Sequence, residues 1–291
     1  MNQQLARLVK QHAETSRFFG VDFVPRYRSV AWLAAEASAR DAAIAAAAAA
    51  KFAAPPTPLP ALTPASYERG SKQHTAQALL DAVRARYTKD APHQSFARES
   101  DNQSTNIVFG EGDPCSRLMF IGDAPGQEED ATGRPFAGRA GELLGKMIQA
   151  MGLYRHTVYL TNVLKTKLPL NTTPRSHEVR ACLPYLLDQI AAVKPEVIVT
   201  LGIVATEAVL GTSTEPAGSQ TIASLRSQWA KFEYQGVEQS GQPIALSIAV
   251  MPTYPPSYVL ENYDGLTRKL VWDDLQLVMD KLGLKAPAAK K

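Results

Sequence analysis

The chain has 291 residues, 45% of them hydrophobic, and a formal net charge of +3, so one α/β domain with additional material fits its length. Its two cysteines, Cys115 and Cys182, exclude a disulfide framework and cannot by themselves ligate a structural zinc or an iron–sulfur cluster. The sequence contains no long apolar run and no signal-peptide pattern, so we expect a soluble cytoplasmic protein without membrane contact.

Residues 1–66 differ in composition from the rest of the chain. A short amphipathic helix is predicted within residues 1–17, and an alanine-rich stretch over residues 31–54 favours a second helix that the following proline run ends. We interpret this segment as an N-terminal extension: it is either a poorly ordered tail or a docking segment for a protein partner or DNA. Residues 285–291 form a basic tail.

Residues 67–284 alternate apolar strands with amphipathic helices. A helix is predicted over residues 73–86, and an antiparallel hairpin over QWAKFEYQGV, before the last strand. Four apolar runs predict the other strands: LMFI (118–121), VYLTN (158–162), VIVTLG (197–202) and IALSIAVMP (244–252). This βαβ rhythm predicts a three-layer α/β/α fold around a central four-stranded parallel sheet.

Apolar residues at helical spacing predict the inner faces of two connecting helices. These residues are Leu143, Leu144, Met147, Ile148 and Met151 in the first helix, and Leu183, Leu186, Leu187, Ile190 and Val193 in the second.

Polar residues follow several of the predicted strands. Asp123 follows the first strand within the stretch GDAPGQEED, Asn162 ends the second, and the turn TYPPSY (253–258) follows the fourth. On local composition alone, each of these is an ordinary strand-end turn. Ligands of parallel sheets bind outside the carboxyl ends of the strands, however, so we expect the carboxylate, the amide and the proline-rich turn to converge there.

Five motifs, in this order and spacing, resemble the family 4 uracil-DNA glycosylases: GEGDPCSRLMFIGDAPGQEEDATGRPFAGRAGELL, VYLTNVLKTKLPLNTTP, CLPYL, KPEVIVTLG and PTYPPSYVL. The resemblance covers roughly residues 105–282 and does not extend to the first sixty or so. It implies the uracil-DNA glycosylase fold and base-excision repair of DNA that contains uracil or a related deaminated base. Such enzymes extrude the nucleotide and hydrolyse its N-glycosidic bond with water.

The resemblance also implies roles for the residues at the sheet edge. Phe136 would stack on the uracil ring, and the Asn162 amide would read its N3 and O4 edge. Cleavage develops positive charge on the sugar, and Asp123 would orient or deprotonate the water and stabilise that charge. Backbone amides at Ala124 and Gly126 would approach the base. The family more often carries glutamate where this chain has Asp123, so the carboxylate reaches one methylene less far.

Further residues are predicted to contact DNA. Lys165, Lys167 and Arg175 flank the end of the second strand and would hold phosphates. Ser257 and Tyr258 lie in the turn after the fourth strand and would hold phosphates or wedge into the base stack. Ordinary solvated lysines are an equally good interpretation of the basic residues.

The chain departs from the family at the positions of its four cluster cysteines. Ser95, Arg98 and Thr166 occupy three of them, only Cys182 remains, and Cys115 lies outside the pattern. Because one thiolate cannot hold a [4Fe–4S] cluster, we predict that this cofactor is absent and that no metal replaces it.

A second departure concerns the turn after the fourth strand. Pro255 stands where the family has a histidine that would donate to the uracil carbonyl, and Glu261 stands where a basic residue is common. We therefore predict a monomeric DNA glycosylase with reduced or altered activity. The alternative is a catalytically weak or inactive member that binds DNA or a partner, and a hydrolase with a substrate other than nucleic acid is a third hypothesis.

Overall fold

The computed structural model describes residues 64–92, 106–169, 172–211, 221–237, 243–262 and 264–286. The chain divides into two units, Met1–Glu68 and Arg69–Lys291, and the second contains nearly all of the described residues. The predicted helices of the N-terminal extension, Ser95, Arg98 and the end of the basic tail lie outside the described residues. The proposed boundary at residues 66–67 stays a prediction.

Eight α-helices and six strands form the described part of the chain. The helices are α1 (Pro64–Asp90), α2 (Gln127–Thr132), α3 (Arg139–Ala150), α4 (Ser176–Val193), α5 (Ile203–Leu210), α6 (Ile222–Leu225), α7 (Pro256–Glu261) and α8 (Gly265–Leu282). The strands are β1 (Glu111–Gly112), β2 (Leu118–Gly122), β3 (Tyr159–Asn162), β4 (Val197–Leu201), β5 (Ala230–Val237) and β6 (Pro243–Thr253). None of the described helices is both long and apolar enough to cross a membrane.

The six strands form one sheet in the order β1-β3-β2-β4-β6-β5. The four central strands, β3, β2, β4 and β6, are mutually parallel and correspond to the four predicted apolar runs. Short β1 and longer β5 pair antiparallel at the two edges. The α/β class and its central parallel sheet are therefore confirmed, and two antiparallel edge strands extend that sheet.

The segment QWAKFEYQGV differs from its prediction as a hairpin placed before the last strand. Its residues from Ala230 onward form a single strand, β5, which pairs along its whole length with the first eight residues of β6. The register runs from Ala230 opposite Val250 to Val237 opposite Pro243. Because β5 lies on the edge of β6 opposite to β4, β6 offers backbone groups to β5 along eight of its 11 residues.

Helices cover both faces of the sheet. Four of the five predicted inner-face residues of the first helix are buried in α3, and the fifth, Met151, is buried directly after its end. Leu186, Ile190 and Val193 of α4 are also buried. Leu183 and Leu187 are only partly buried. β2, β3 and β4 are buried along their entire lengths, as expected for strands covered on both faces.

Candidate active site

The carboxyl ends of the four parallel strands lie level with one another. Gly122 at the end of β2 is in register with Asn162 of β3 on one side and with Leu201 of β4 on the other. Leu201 is in turn in register with Thr253 of β6. Residues that follow these four positions in the sequence therefore meet at one edge of the sheet, as predicted.

A pocket of about 230 Å³ opens at this edge. Its lining combines two carboxylates, one amide and one aromatic ring with glycine and proline residues. The lining residues are Gly122, Asp123, Ala124, Gly126, Glu129, Phe136, Ala140, Asn162, Leu201, Pro255, Pro256 and Ser257. Sequence segments more than 130 residues apart thus form one small, partly apolar cavity with few polar groups, a lining typical of small-ligand sites.

Gly122 lies where the amide and the aromatic ring of the pocket meet. A Cβ atom on Gly122 would be 2.5 Å from Asn162 Oδ1 and 2.9 Å from Phe136 Cζ. Such distances are too short for a Cβ atom, so glycine at residue 122 leaves the space that both side chains occupy. Asn162 itself is buried, with 2% of its surface exposed, whereas Phe136 is partly exposed.

The backbone of Phe136 adopts a left-handed conformation with φ of 52°, which is uncommon for a residue with a large side chain. Its carbonyl accepts a hydrogen bond of 2.9 Å from Arg155 Nη1, and Arg155 also donates to the carbonyl of Pro135 and to Glu111 Oε1. Gly141 allows this carbonyl to approach, because a Cβ there would lie 1.8 Å from it. The surrounding hydrogen bonds and packing therefore hold the strained turn in place.

Glu129 joins the turn after β2 to the turn that carries Phe136. Its Oε2 accepts from the Gly126 N–H at 2.9 Å, and its Oε1 accepts from the N–H groups of Ala137 and Gly138 at 2.9 and 3.2 Å. Glu129 thus holds the two turns together through direct hydrogen bonds. The Gly126 N–H already donates to Glu129 Oε2. To bind a base, as predicted, this N–H would have to give up its hydrogen bond to Glu129.

Asp123 is held against the start of α5. Its Oδ1 accepts a hydrogen bond of 2.8 Å from the Ala205 N–H, so it serves as the cap that Gly202, the N-cap residue, lacks. Gly202 has φ of 114°, and a Cβ there would lie 2.8 Å from Asp123 Oδ2. Glycine at this position therefore leaves room for the carboxylate at the pocket.

Burial raises the pKa of Asp123 from the ordinary 3.8 to about 6. The nearby negative charge of Glu207 raises it further, while the hydrogen bond from Ala205 opposes both effects. A carboxyl group with a pKa near 6 is mostly ionised at neutral pH and can still accept a proton.

A buried network holds the proline-rich turn that closes the pocket. Thr253 Oγ1 donates to Asp274 Oδ2 at 2.6 Å, and Arg226 forms an ion pair with the same buried carboxylate. The Arg226 guanidinium also lies 5.8 Å from the ring centre of Tyr254, which stacks on Tyr258 at 4.8 Å. Tyr258 is exposed beside the pocket, so its ring is available to a large ligand.

The structure contradicts the predicted DNA contact of Lys165. Its side chain is fully buried, with Nζ close to three oxygen acceptors of the protein core, so the prediction that it binds DNA phosphates is wrong. Lys167, two residues later, is partly exposed, and Ser257, Tyr258 and Arg175 are exposed. Those four residues remain accessible to a nucleic acid.

The residues at two of the cluster positions pack in the core. Cys182 and Thr166 are buried, and Cys182 Sγ lies 3.9 Å from the hydroxyl of Tyr87. Cys115 lies instead in the turn before β2, where its N–H donates to Asp113 Oδ1 at 2.9 Å. Within the described residues, no group of three or more His, Cys, Asp or Glu side chains is arranged to hold a metal ion.

Comparison with known proteins places these features in a family. The profile described as "Uracil DNA glycosylase superfamily" matches residues 109–276. The type-4 uracil-DNA glycosylase of Archaeoglobus fulgidus is 46% identical over 183 residues, which are 63% of this chain and 85% of that protein. The enzymes of the same name from Sulfurisphaera tokodaii and Thermotoga maritima are 39% and 36% identical, over 60% and 59% of this chain and 74% and 81% of their own.

Proposed function

This chain belongs to the uracil-DNA glycosylase superfamily, as a type-4 member, and we propose that it removes uracil or a related deaminated base from DNA by hydrolysis of the N-glycosidic bond. The observation that carries the proposal is the convergence of Asp123, Phe136 and Asn162 on one pocket of about 230 Å³. An acidic group, an aromatic ring and an amide are the three kinds of side chain that this chemistry needs.

The pocket lies at the surface edge of the sheet, and a base inside a duplex must leave the helix to enter it. Extrusion costs about a few kcal/mol in lost stacking and pairing. Stacking on the Phe136 ring offsets part of this cost, since base–aromatic stacking contributes about 1–3 kcal/mol per base. The strained backbone of Phe136 is consistent with a ring held in place before the base arrives.

Asn162 suits the reading of a uracil edge. Its amide group both donates and accepts hydrogen bonds, which matches the N3–H and O4 groups of uracil and opposes the exocyclic amine of cytosine. Because Asn162 is buried and its Oδ1 is packed close to Gly122, the amide has little freedom to turn towards a different pattern. Cytosine is disfavoured because it would leave a donor or acceptor of the buried Asn162 amide without a hydrogen-bond partner.

Asp123 suits the activation of water. As the bond to the base breaks, positive charge develops on the sugar and negative charge on the base. A carboxylate beside the sugar stabilises the first charge and orients or deprotonates the attacking water. Its pKa of about 6 places the proton-accepting form at neutral pH. The hydrogen bond from Ala205 uses Oδ1, so Oδ2 is the oxygen we assign to the water.

We infer that this chain performs the reaction without the [4Fe–4S] cluster that the family resemblance implies. Four thiolates hold such a cluster, and the sequence has two cysteines, in the turn before β2 and in α4. Cys182 and Thr166 pack with the hydroxyl of Tyr87. The residues present therefore do not fit the cluster, and no step of the reaction is assigned to it.

A second candidate function is DNA binding with little or no turnover. Pro255 favours it, because proline lines the pocket where the family resemblance implies a histidine donor. Loss of one preorganised donor costs about 10²–10³ in rate.

An abasic-site cleavage assay on oligonucleotides with uracil, hypoxanthine or xanthine separates the two functions. We expect abasic sites in at least the uracil duplex and none in a matched undamaged duplex. Binding of the uracil duplex without base release would favour the binding protein.

A further inference from the structure

Lys165 is a fully buried basic residue to which the proposed reaction assigns no role. Its Nζ donates to Asn162 O at 2.5 Å, to Thr161 Oγ1 at 2.8 Å and to Gln189 Oε1 at 2.5 Å. A protonated amine has three donors, and these three oxygen atoms match them one to one. One of the three is the backbone carbonyl of the residue whose amide is proposed to read the base.

The acceptors around Lys165 are themselves fixed. Thr161 Oγ1 donates to Phe109 O at 2.8 Å, and Gln189 Nε2 donates to the same carbonyl at 2.9 Å. Because the nitrogen of the Gln189 amide is committed to Phe109, its oxygen faces Lys165. The Phe109 ring centre lies 5.7 Å from Nζ, a distance at which an aromatic face attracts a cation.

Among the described residues, no carboxylate forms an ion pair with Lys165, and burial of a lysine without such a partner costs free energy. The three oxygens hydrogen-bonded to its ammonium are neutral, and burial lowers the pKa of Lys165 to about 7, an effect that Cys182 opposes. An apolar residue of similar length would avoid this cost. An apolar residue could not, however, donate the three hydrogen bonds that Lys165 Nζ forms.

Lys165 acts at the point where β3 ends and the chain turns beneath the pocket. The two residues between Asn162 and Lys165 also bind the turn that bears the carboxylate: the N–H of Val163 donates to Gly122 O at 2.8 Å, and that of Leu164 donates to Asp123 O at 3.1 Å. The lysine therefore closes a short loop whose backbone joins the residues proposed to read the base and to activate water.

We propose that Lys165 is a positioning residue, which fixes the end of β3 so that the Asn162 amide faces the pocket in its reading orientation. This inference rests on the proposed function for its effect on uracil, but the geometry it assigns to residues 162–165 can be tested separately. A Cβ atom on Gly122 would lie 2.5 Å from Asn162 Oδ1, so the amide occupies space that only a glycine leaves free, and a displacement of the strand end would move the amide relative to a bound base.

The test compares Lys165→Met with Tyr87→Phe. Methionine keeps the length and apolar stem of lysine and removes all three donors. Tyr87→Phe removes a buried polar group from the same core, where its hydroxyl lies 3.9 Å from Cys182 Sγ, and serves as the control for general destabilisation. We expect Lys165→Met to lower uracil release by about 10- to 100-fold, the scale of a displacement near 1 Å, and Tyr87→Phe to lower it by less than about threefold.

A double-mutant cycle tests whether the effect passes through Asn162. In an Asn162→Ala background, Lys165→Met should cost less than about threefold further, because the amide that it positions is gone. The same cycle is measured in binding, as the affinity for a uracil duplex divided by that for a thymine duplex. Full additivity of the two substitutions in both measurements would overturn the proposal.

Hydrogen exchange provides a readout that does not depend on turnover. The amides of Val163 and Leu164 should exchange faster in Lys165→Met and be unchanged in Tyr87→Phe; unchanged exchange in both variants would overturn the positioning role. A wild-type protein that neither releases uracil nor prefers the uracil duplex would instead contradict the proposed function. Hydrogen exchange alone would then test whether Lys165 fixes the end of β3. If Lys165→Met does not fold, Gln189→Met removes one acceptor of the same clamp and should change the same amides to a smaller extent.

Discussion

Replacement of Asp123 by asparagine removes the proposed catalytic charge and leaves the fold intact. The Asp123 Oδ1 atom accepts the hydrogen bond that caps α5, and the oxygen of an asparagine amide accepts the same bond from Ala205. Alanine cannot accept it, and the loss of a helix cap costs about 0.5–2 kcal/mol. We therefore expect Asp123→Asn to be at least as stable as the wild type and Asp123→Ala to be about 1 kcal/mol less stable than Asp123→Asn.

The rate of base release, unlike stability, should fall alike in the two variants. Both substitutions remove the general base and the negative charge that faces the developing sugar cation, so both should lower base release by about 10²-fold or more. Duplex binding should change little in Asp123→Asn, because the amide is nearly isosteric with the carboxylate. The measurements are single-turnover release from a uracil duplex, binding of the same duplex and thermal unfolding.

The pH dependence gives a second signature of Asp123. With a pKa of about 6, roughly a tenth of the molecules carry an ionised Asp123 at pH 5 and nearly all do at pH 8. Release by the wild type should therefore rise about tenfold over this range, with an apparent pKa near 6, and the residual release of Asp123→Asn should lack this rise.

The same pKa has a consequence for stability. A carboxyl group whose pKa is raised in the folded state binds its proton more tightly there than in the unfolded chain, so the contribution of Asp123 to stability falls as pH rises from about 4 to about 6. Asp123→Asn should lack this decrease.

An Asp123→Asn protein with the release rate and pH profile of the wild type would refute the catalytic assignment and leave the carboxylate only its capping role.

Four further predictions follow from the pocket and its surface. Pro255→His should raise the rate of base release when Asp123 is intact and do much less together with Asp123→Asn, since a donor to the base helps only if water is activated; equal gains in both backgrounds would indicate altered binding. Gly122→Ala should lower release by at least about tenfold, because its Cβ would lie 2.5 Å from Asn162 Oδ1, and a duplex affinity that falls equally for undamaged DNA would contradict this reason. Lys167→Ala should weaken binding of all duplexes alike and reduce the salt slope by about one, and an unchanged slope would remove it from the DNA-binding surface. Purified protein should be colourless and free of iron, whereas a visible absorbance band with stoichiometric iron would overturn the inferred loss of the cluster.

The sequence by itself predicted the central sheet and the family. Four apolar runs separated by amphipathic helices indicate parallel strands, because such strands are buried on both faces and connected by helices. Strand-end positions alone were sufficient to bring Asp123 and Asn162 to one edge, since the carboxyl ends of parallel strands share an edge. The motif GRPFAG added Phe136 through resemblance and not through any periodicity.

The tertiary structure decided what each polar side chain contacts. Asp123 caps a helix that begins 80 residues later in the sequence, and its partner Ala205 carries no distinctive sequence signal because any backbone N–H can donate. Arg155 likewise supports the Phe136 turn from 19 residues away. Lys165 and Lys167 are chemically alike and two residues apart, yet one is buried beneath Asn162 and the other reaches the surface. Local composition cannot distinguish these two lysines, because the burial of a side chain depends on helices and strands that the distant parts of the chain bring against it.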